Sequence, residues 1–134
     1  MGFAEIASGE QSVYKIAEDD LFLAFLEPEP IALGHCIVIP KLSQGYIFDM
    51  EDTLLSEFHL FAKGVAISIK KAIKCKKVGI AVIGLVEPHT HMHLIPLNTS
   101  TQMNFSSPRL QVSQEEMEAV HASILKYSQL RLDF

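Results

Sequence analysis

Three histidines occupy alternate positions, His89, His91 and His93, in the run Glu87-Pro88-His89-Thr90-His91-Met92-His93-Leu94-Ile95-Pro96. Successive side chains of a β-strand point to opposite faces, so this spacing predicts three imidazoles on one wall, with Thr90, Met92 and Leu94 on the other. The flanking prolines are expected to bound the strand. Imidazole is the side chain most able to exchange a proton, a metal ion or a phosphoryl group near neutral pH. Three readings compete for such a row. Metal chelation comes second, because a rise of roughly 3.3 Å per residue puts neighbours about 6.6 Å apart and the outer pair about 13 Å apart. A closed zinc site also wants four ligands, and no cysteine pair or acidic cluster lies nearby in the sequence. Purely structural histidines explain the alternation poorly, since histidine has no special strand propensity. Nucleophilic catalysis fits best. One imidazole nitrogen attacks phosphorus, a second group fixes its tautomer, and further donors hold the phosphate oxygens. Gly84, in the turn just before, would let backbone N–H groups approach a phosphate with no side chain in the way.

The rest of the chain must hold that wall in place. Its 134 residues fit one domain, 1–134, and its 49% apolar and 20% charged content is that of a globular protein. No apolar stretch reaches membrane-spanning length, and Met1-Gly2-Phe3-Ala4-Glu5 lacks the basic-then-apolar order of a secretory signal. A cytoplasmic protein without a membrane partner is therefore expected. The net charge of −5 argues against a nucleic-acid partner. Lys70, Lys71, Lys74, Lys76 and Lys77 read as a solvated helix end, favoured by the helix dipole. Cys36 and Cys75 stand far apart and read as buried small hydrophobes.

Local patterns predict an α+β domain. Phe3 to Glu10 opens as a short helix stopped at Gly9, and Val13–Ala17, Leu21–Leu26 and Cys36–Ile39 read as strands with short links, an antiparallel meander. From about Asp52 to Lys74, Leu54, Phe58, Phe61, Val65 and Ile69 keep helical spacing. Val78–Ile83 is short and wholly apolar, and is expected as a central strand buried on both faces. The histidine strand follows, then a polar loop from Asn98 to Pro108. A closing helix from Ser113 to Leu130 begins with Ser113 and Glu116 in the capping-box pattern.

His89-Thr90-His91-Met92-His93-Leu94-Ile95 resembles the signature of the histidine triad (HIT) family, His-φ-His-φ-His-φ-φ, with Thr90 at an apolar position. Glu18-Asp19-Asp20, Leu23-Ala24-Phe25 and Gly34-His35-Cys36-Ile37-Val38-Ile39-Pro40-Lys41 resemble the family's first half in order and spacing. The resemblance implies a HIT-like fold, a five-stranded mainly antiparallel sheet with one long helix and a C-terminal helix. It implies a nucleotide hydrolase or transferase acting at the α-phosphate of a purine nucleoside phosphoramidate or related nucleotide. His91 would be the nucleophile, His93 would contact the phosphate or leaving group, and His89 would orient the nucleophile. Phe3, Ile6 and Phe25 fall where the family forms its base cleft, and Glu27 falls where an acidic residue holds the ribose hydroxyls. Core packing would explain those three apolar positions equally well. No metal or other cofactor is required, and a homodimer that pairs the long helix and extends the sheet is expected. Two positions depart from the family pattern. Leu42-Ser43 stands where a further histidine usually follows the Ile-Pro-Lys stretch, and Ala81–Val86 replaces a turn that usually carries an Asn and a Gly-Gln element, with Leu85 in place of the Gln.

Overall fold

The first eight residues already show how punctuation shapes the chain. Helix α1 (Phe3–Ser8) ends at Gly9, whose φ of 88° is left-handed and open to glycine without strain. The computed structural model describes residues 2–42 and 44–128. Strands β1 (Lys15–Glu18), β2 (Phe22–Leu26) and β3 (Cys36–Pro40) form the expected meander, and β4 (Lys77–Ala81) and β5 (Met92–Leu97) complete one antiparallel sheet in the order β1-β2-β3-β5-β4. Between β3 and β4 runs the long helix α2 (Asp52–Ala72), and α3 (Gln114–Tyr127) follows β5. The architecture is α+β, with the long helix and C-terminal helix expected from the periodicity. The last predicted helical positions, up to Leu130, lie outside the described residues.

Every residue of β2 and β3 is buried, and alternation sends them to two cores. Phe22, Ala24, Leu26, Cys36 and Val38 pack with Phe58, Phe61, Val65 and Ile69 of α2 and Met117 and Ile124 of α3. Leu23, Phe25, Ile37 and Ile39 face the other way and pack with Phe3 and Ile6 of α1. Burying one such side chain contributes about 1.5–3 kcal/mol, so both faces of the sheet are held. The α2 stripe buries Phe58, Phe61, Val65 and Ile69, while Glu57, Lys63 and Lys70 face solvent, as the spacing predicts. Ser113 caps α3: its hydroxyl oxygen accepts from the Glu116 N–H at 3.1 Å, and Glu116 Oε1 accepts the Ser113 N–H at 3.3 Å. Helix α3 also reaches the outer edge of β1. His121 Nε2–H donates to the Lys15 carbonyl at 2.6 Å and the Ser128 hydroxyl to the Ile16 carbonyl at 3.2 Å.

Two expectations are corrected. The apolar run Val78–Ile83 is not a central strand: β4 ends at Ala81 and lies at the sheet edge, with Ile80 58% exposed. The chain enters β4 on the outside after α2, and β5 then turns back into the place between β3 and β4. An apolar run alone does not say which neighbour will fill that place. Nor does Pro96 end the histidine strand; it lies inside β5, paired with Val78. The Lys76 N–H donates to the Leu97 carbonyl, so Leu97 faces β4 and Pro96 faces the β3 side, where the ladder has already stopped at Leu94. A missing N–H costs no ladder bond there. Among the described residues, no helix is long and apolar enough to cross a membrane.

Candidate active site

Only His93 belongs to the strand itself, because β5 begins at Met92. Its register partner is Ile37, so it projects on the α1 face of the sheet. His89 and His91 sit in the irregular approach, yet the rings still converge: His91 and His93 meet edge to face at 5.2 Å between centroids. Phe3 stacks on His91 at 4.6 Å and lies 6.0 Å from His89 and 6.3 Å from Phe25. Two loops are tied together here, since the Thr90 N–H donates to the Gln44 carbonyl.

Hydrogen-bond partners fix the protons on the rings. A carbonyl only accepts, so His91 carries its proton on Nδ1 and donates it to the His89 carbonyl at 2.9 Å. With Nδ1–H spent on that carbonyl, Nε2 is the nitrogen left to carry a lone pair in the neutral form of the ring. His89 donates Nε2–H to the Pro40 carbonyl at 2.7 Å, which anchors the triad approach to the end of β3. Among the described residues its buried Nδ1 has no hydrogen-bond partner, nor has Thr90 Oγ1.

A fourth histidine completes the set. Gly34 (φ 95°) turns the chain into β3 where a Cβ would stand 2.9 Å from Ile73 Cγ1, and this turn delivers His35 beneath the triad. The backbone N–H of Ile31 donates to His35 Nδ1 at 3.0 Å, so the His35 proton must sit on Nε2. That Nε2–H lies 2.9 Å from His93 Nδ1, which must accept it, and His93 is left with an Nε2–H donor. One backbone amide thus sets the polarity of two imidazoles in series. Burial keeps both neutral. It pushes His35 down to about 3, helped by the neighbouring His93 and Arg109 charges, and His93 down to about 4, helped by His91 and Arg109.

This has a pH consequence. Both folded values lie below the ordinary value of 6.5, so the unfolded chain binds more protons than the folded one as pH falls from 6.5 towards 3. The stability is fully present above 6.5 and is lost on acidification through that window, by an amount on the order of a few kcal/mol. Thermal melts between pH 7 and pH 4 check this, with His35→Gln as reference: the variant should melt with a shallower pH slope than the parent chain. Equal slopes would reject it.

The site's far wall comes from the segment after β5. Phe105 packs edge to face on His93 at 4.8 Å, and the Arg109 guanidinium carbon lies 5.8 Å from the centre of the Phe105 ring. Arg109 Nη1 donates to the Glu29 carbonyl at 2.6 Å and stands 3.7 Å from Glu27 Oε1. Burial raises the Glu27 carboxyl above its ordinary value against the opposing pull of Arg109, and the Glu27 N–H donates to the His35 carbonyl. Spacing near the triad gave no hint of Phe105 and Arg109. One available signal is that Arg109 is the single lysine or arginine between Lys77 and Lys126. His35 was in view within Gly34–Lys41, but its partner lies 58 positions on.

The remaining expected site residues divide clearly. Phe3, Ile6 and Phe25 come together as one buried group with Leu23, Ile37 and Ile39. Glu27 lies beside His35. Gly84 adopts a left-handed φ of 66°, and no atom of the described residues lies within 4 Å of where a Cβ would stand. In the same turn Leu85 and Val86 are 89% and 96% exposed. Ser43 lies outside the described residues. Among the described residues, no three His, Cys, Asp or Glu side chains are placed to hold a metal ion.

A family model described as the HIT domain matches residues 8–100. The adenosine 5′-monophosphoramidase of Schizosaccharomyces pombe is 30% identical over 125 residues, covering 91% of this chain and 93% of the relative. An uncharacterized HIT-like protein of Borreliella burgdorferi is 32% identical over 101 residues, covering 70% and 73%. Among solved structures, a hypothetical histidine triad nucleotide-binding protein of Sulfolobus tokodaii superposes with a TM-score of 0.79 at 28% identity, covering 95% of this chain and 91% of that one.

Proposed function

This chain belongs to the HIT family, and on that premise we propose that it is a nucleotide hydrolase or nucleotidyl transferase acting at an α-phosphate, with a purine nucleoside phosphoramidate as the favoured substrate. The carrying observation is the hydrogen-bond arrangement: His91 Nδ1 is held by the His89 carbonyl, which turns Nε2 free as the attacking nitrogen, and His93 Nδ1 is held by His35, which leaves its Nε2 as the donor. In the proposed reaction His91 Nε2 attacks phosphorus, the P–N bond breaks, and the amine leaves with a proton taken from solvent. Water then cleaves the nucleotidyl–His91 adduct to release the nucleoside monophosphate. His93 Nε2–H supports the phosphate oxygens or the leaving group, and His89, through its carbonyl, orients the nucleophile. The purine rests against the wall of Phe3, Ile6 and Phe25, Glu27 takes the ribose hydroxyls, and the open backbone at Gly84 approaches the phosphate. The activity named for the S. pombe relative supports the same class.

The test is release of AMP from adenosine 5′-phosphoramidate by the purified chain. No release above the buffer blank would reject the enzyme. A second reading, a nucleotide-binding protein with little turnover, draws on the apolar turn: Leu85 and Val86 supply no side-chain donor to a phosphate. Tight AMP binding without turnover would select it.

We also propose a cytoplasmic homodimer. Among the described residues no strand pairs with the outer edge of β4, Ile80 is exposed on it, and Leu60 and Ile67 of α2 are exposed as well. A monomeric mass by light scattering at micromolar concentration would refute it.

A further inference from the structure

The phosphoryl group has more oxygens than the triad has donors. His93 brings one N–H, and the turn before the triad brings only apolar side chains at Leu85 and Val86. Phosphoryl chemistry depends on fixed positive charge and donors where negative charge gathers. The geometry points to Arg109, beyond the family-matched segment 8–100, as the residue that supplies them; this rests on the nucleotide reading above.

Four observations carry the assignment. Arg109 is linked to the triad through one aromatic ring, because Phe105 packs edge to face with His93 and the guanidinium lies over the same ring at 5.8 Å. Among the described residues its contacts to Glu29 and Glu27 both use Nη1, which leaves the Nε and Nη2 donors for a ligand. The Glu27 separation of 3.7 Å is too long for a direct hydrogen bond, so that carboxylate orients the guanidinium without saturating it. The side chain is 31% exposed, neither sealed in the core nor free in solvent.

The site therefore draws its donors from two places in the chain. His91 and His93 come from the approach to β5, and the fork that grips the phosphate comes from the strap leading into α3. A planar fork suits two phosphate oxygens at once, which a lysine ammonium does not reproduce.

Calorimetric titration of the full chain with AMP and with adenosine tests this in the parent, Arg109→Gln and Arg109→Lys. The expected result is a loss of about tenfold or more in AMP affinity for Arg109→Gln. Adenosine affinity should stay within about twofold, and Arg109→Lys should recover part of the loss. If AMP and adenosine weaken together, Arg109 only braces the strap and the proposal is overturned. Unchanged AMP affinity overturns it too. Failure of the parent chain to bind AMP at all would instead overturn the nucleotide reading on which it stands. Melting temperatures of the variants, read alongside, identify any that lose the fold, and Arg109→Lys then serves as the deciding variant.

Discussion

On the proposed mechanism, replacing His91 by alanine should lower turnover of an adenosine phosphoramidate by at least about a thousandfold, because the atom proposed to attack phosphorus is gone and no other imidazole is placed to substitute for it. His93 cannot substitute, since its Nδ1 is occupied by the His35 proton and its Nε2 carries a hydrogen. His89 cannot either, since its Nε2–H is spent on the Pro40 carbonyl and its Nδ1 is buried. The alanine variant should still fold, because His91 lies outside the strand ladders and the two core clusters. Intact-mass spectrometry of the parent chain quenched during turnover should show the nucleotidyl adduct, and His91→Ala should show none. A variant that hydrolyses the phosphoramidate at a rate near the parent's would remove His91 from the chemistry.

The second large effect is expected at a residue that does not touch the reacting atoms. His35→Leu leaves His93 Nδ1 buried with no donor. The ring then loses the reason to keep its proton on Nε2, and the site loses its directed N–H. Activity should fall about a hundredfold, in kcat more than in KM. His35→Gln is the discriminating control. Its amide offers an acceptor to the Ile31 N–H and a donor to His93 Nδ1, the same two valences that the neutral imidazole supplies. Recovery of much of the lost activity in His35→Gln identifies His35 as a positioning residue. If the leucine and glutamine variants lose equally, the role is packing and nothing more.

The sequence made some of this legible and hid the rest for identifiable reasons. Local signals held well: Gly9 stops α1, Ser113 with Glu116 starts α3, and the Phe58–Phe61–Val65–Ile69 stripe forms the buried face of α2. Each depends on residues a few positions apart. Misreadings arose where the answer depends on distant partners. Val78–Ile83 has the composition of a buried strand, but its position at the edge is decided by β5 returning between it and β3. The alternation of His89, His91 and His93 has the form of a strand pattern. Only His93 is in the strand, and the other two rings are held by the carbonyls of His89 and Pro40. His35 stands within the Gly34–Lys41 resemblance, yet its bond to His93 spans 58 positions and no local pattern encodes it. Arg109 and Phe105 stand in a polar loop where periodicity carries no information.

The caps that His121 and Ser128 place on the carbonyls of Lys15 and Ile16 have an effect beyond α3 itself. A sheet recruits further strands through unsatisfied groups at its borders, and on β1 two of these, the Lys15 and Ile16 carbonyls, are already taken up, while among the described residues no strand pairs with the outer edge of β4. Strand addition is therefore favoured at β4 over β1. Two such molecules joined through β4 would each turn the partly capped border outward, which favours a closed pair over a propagating fibre.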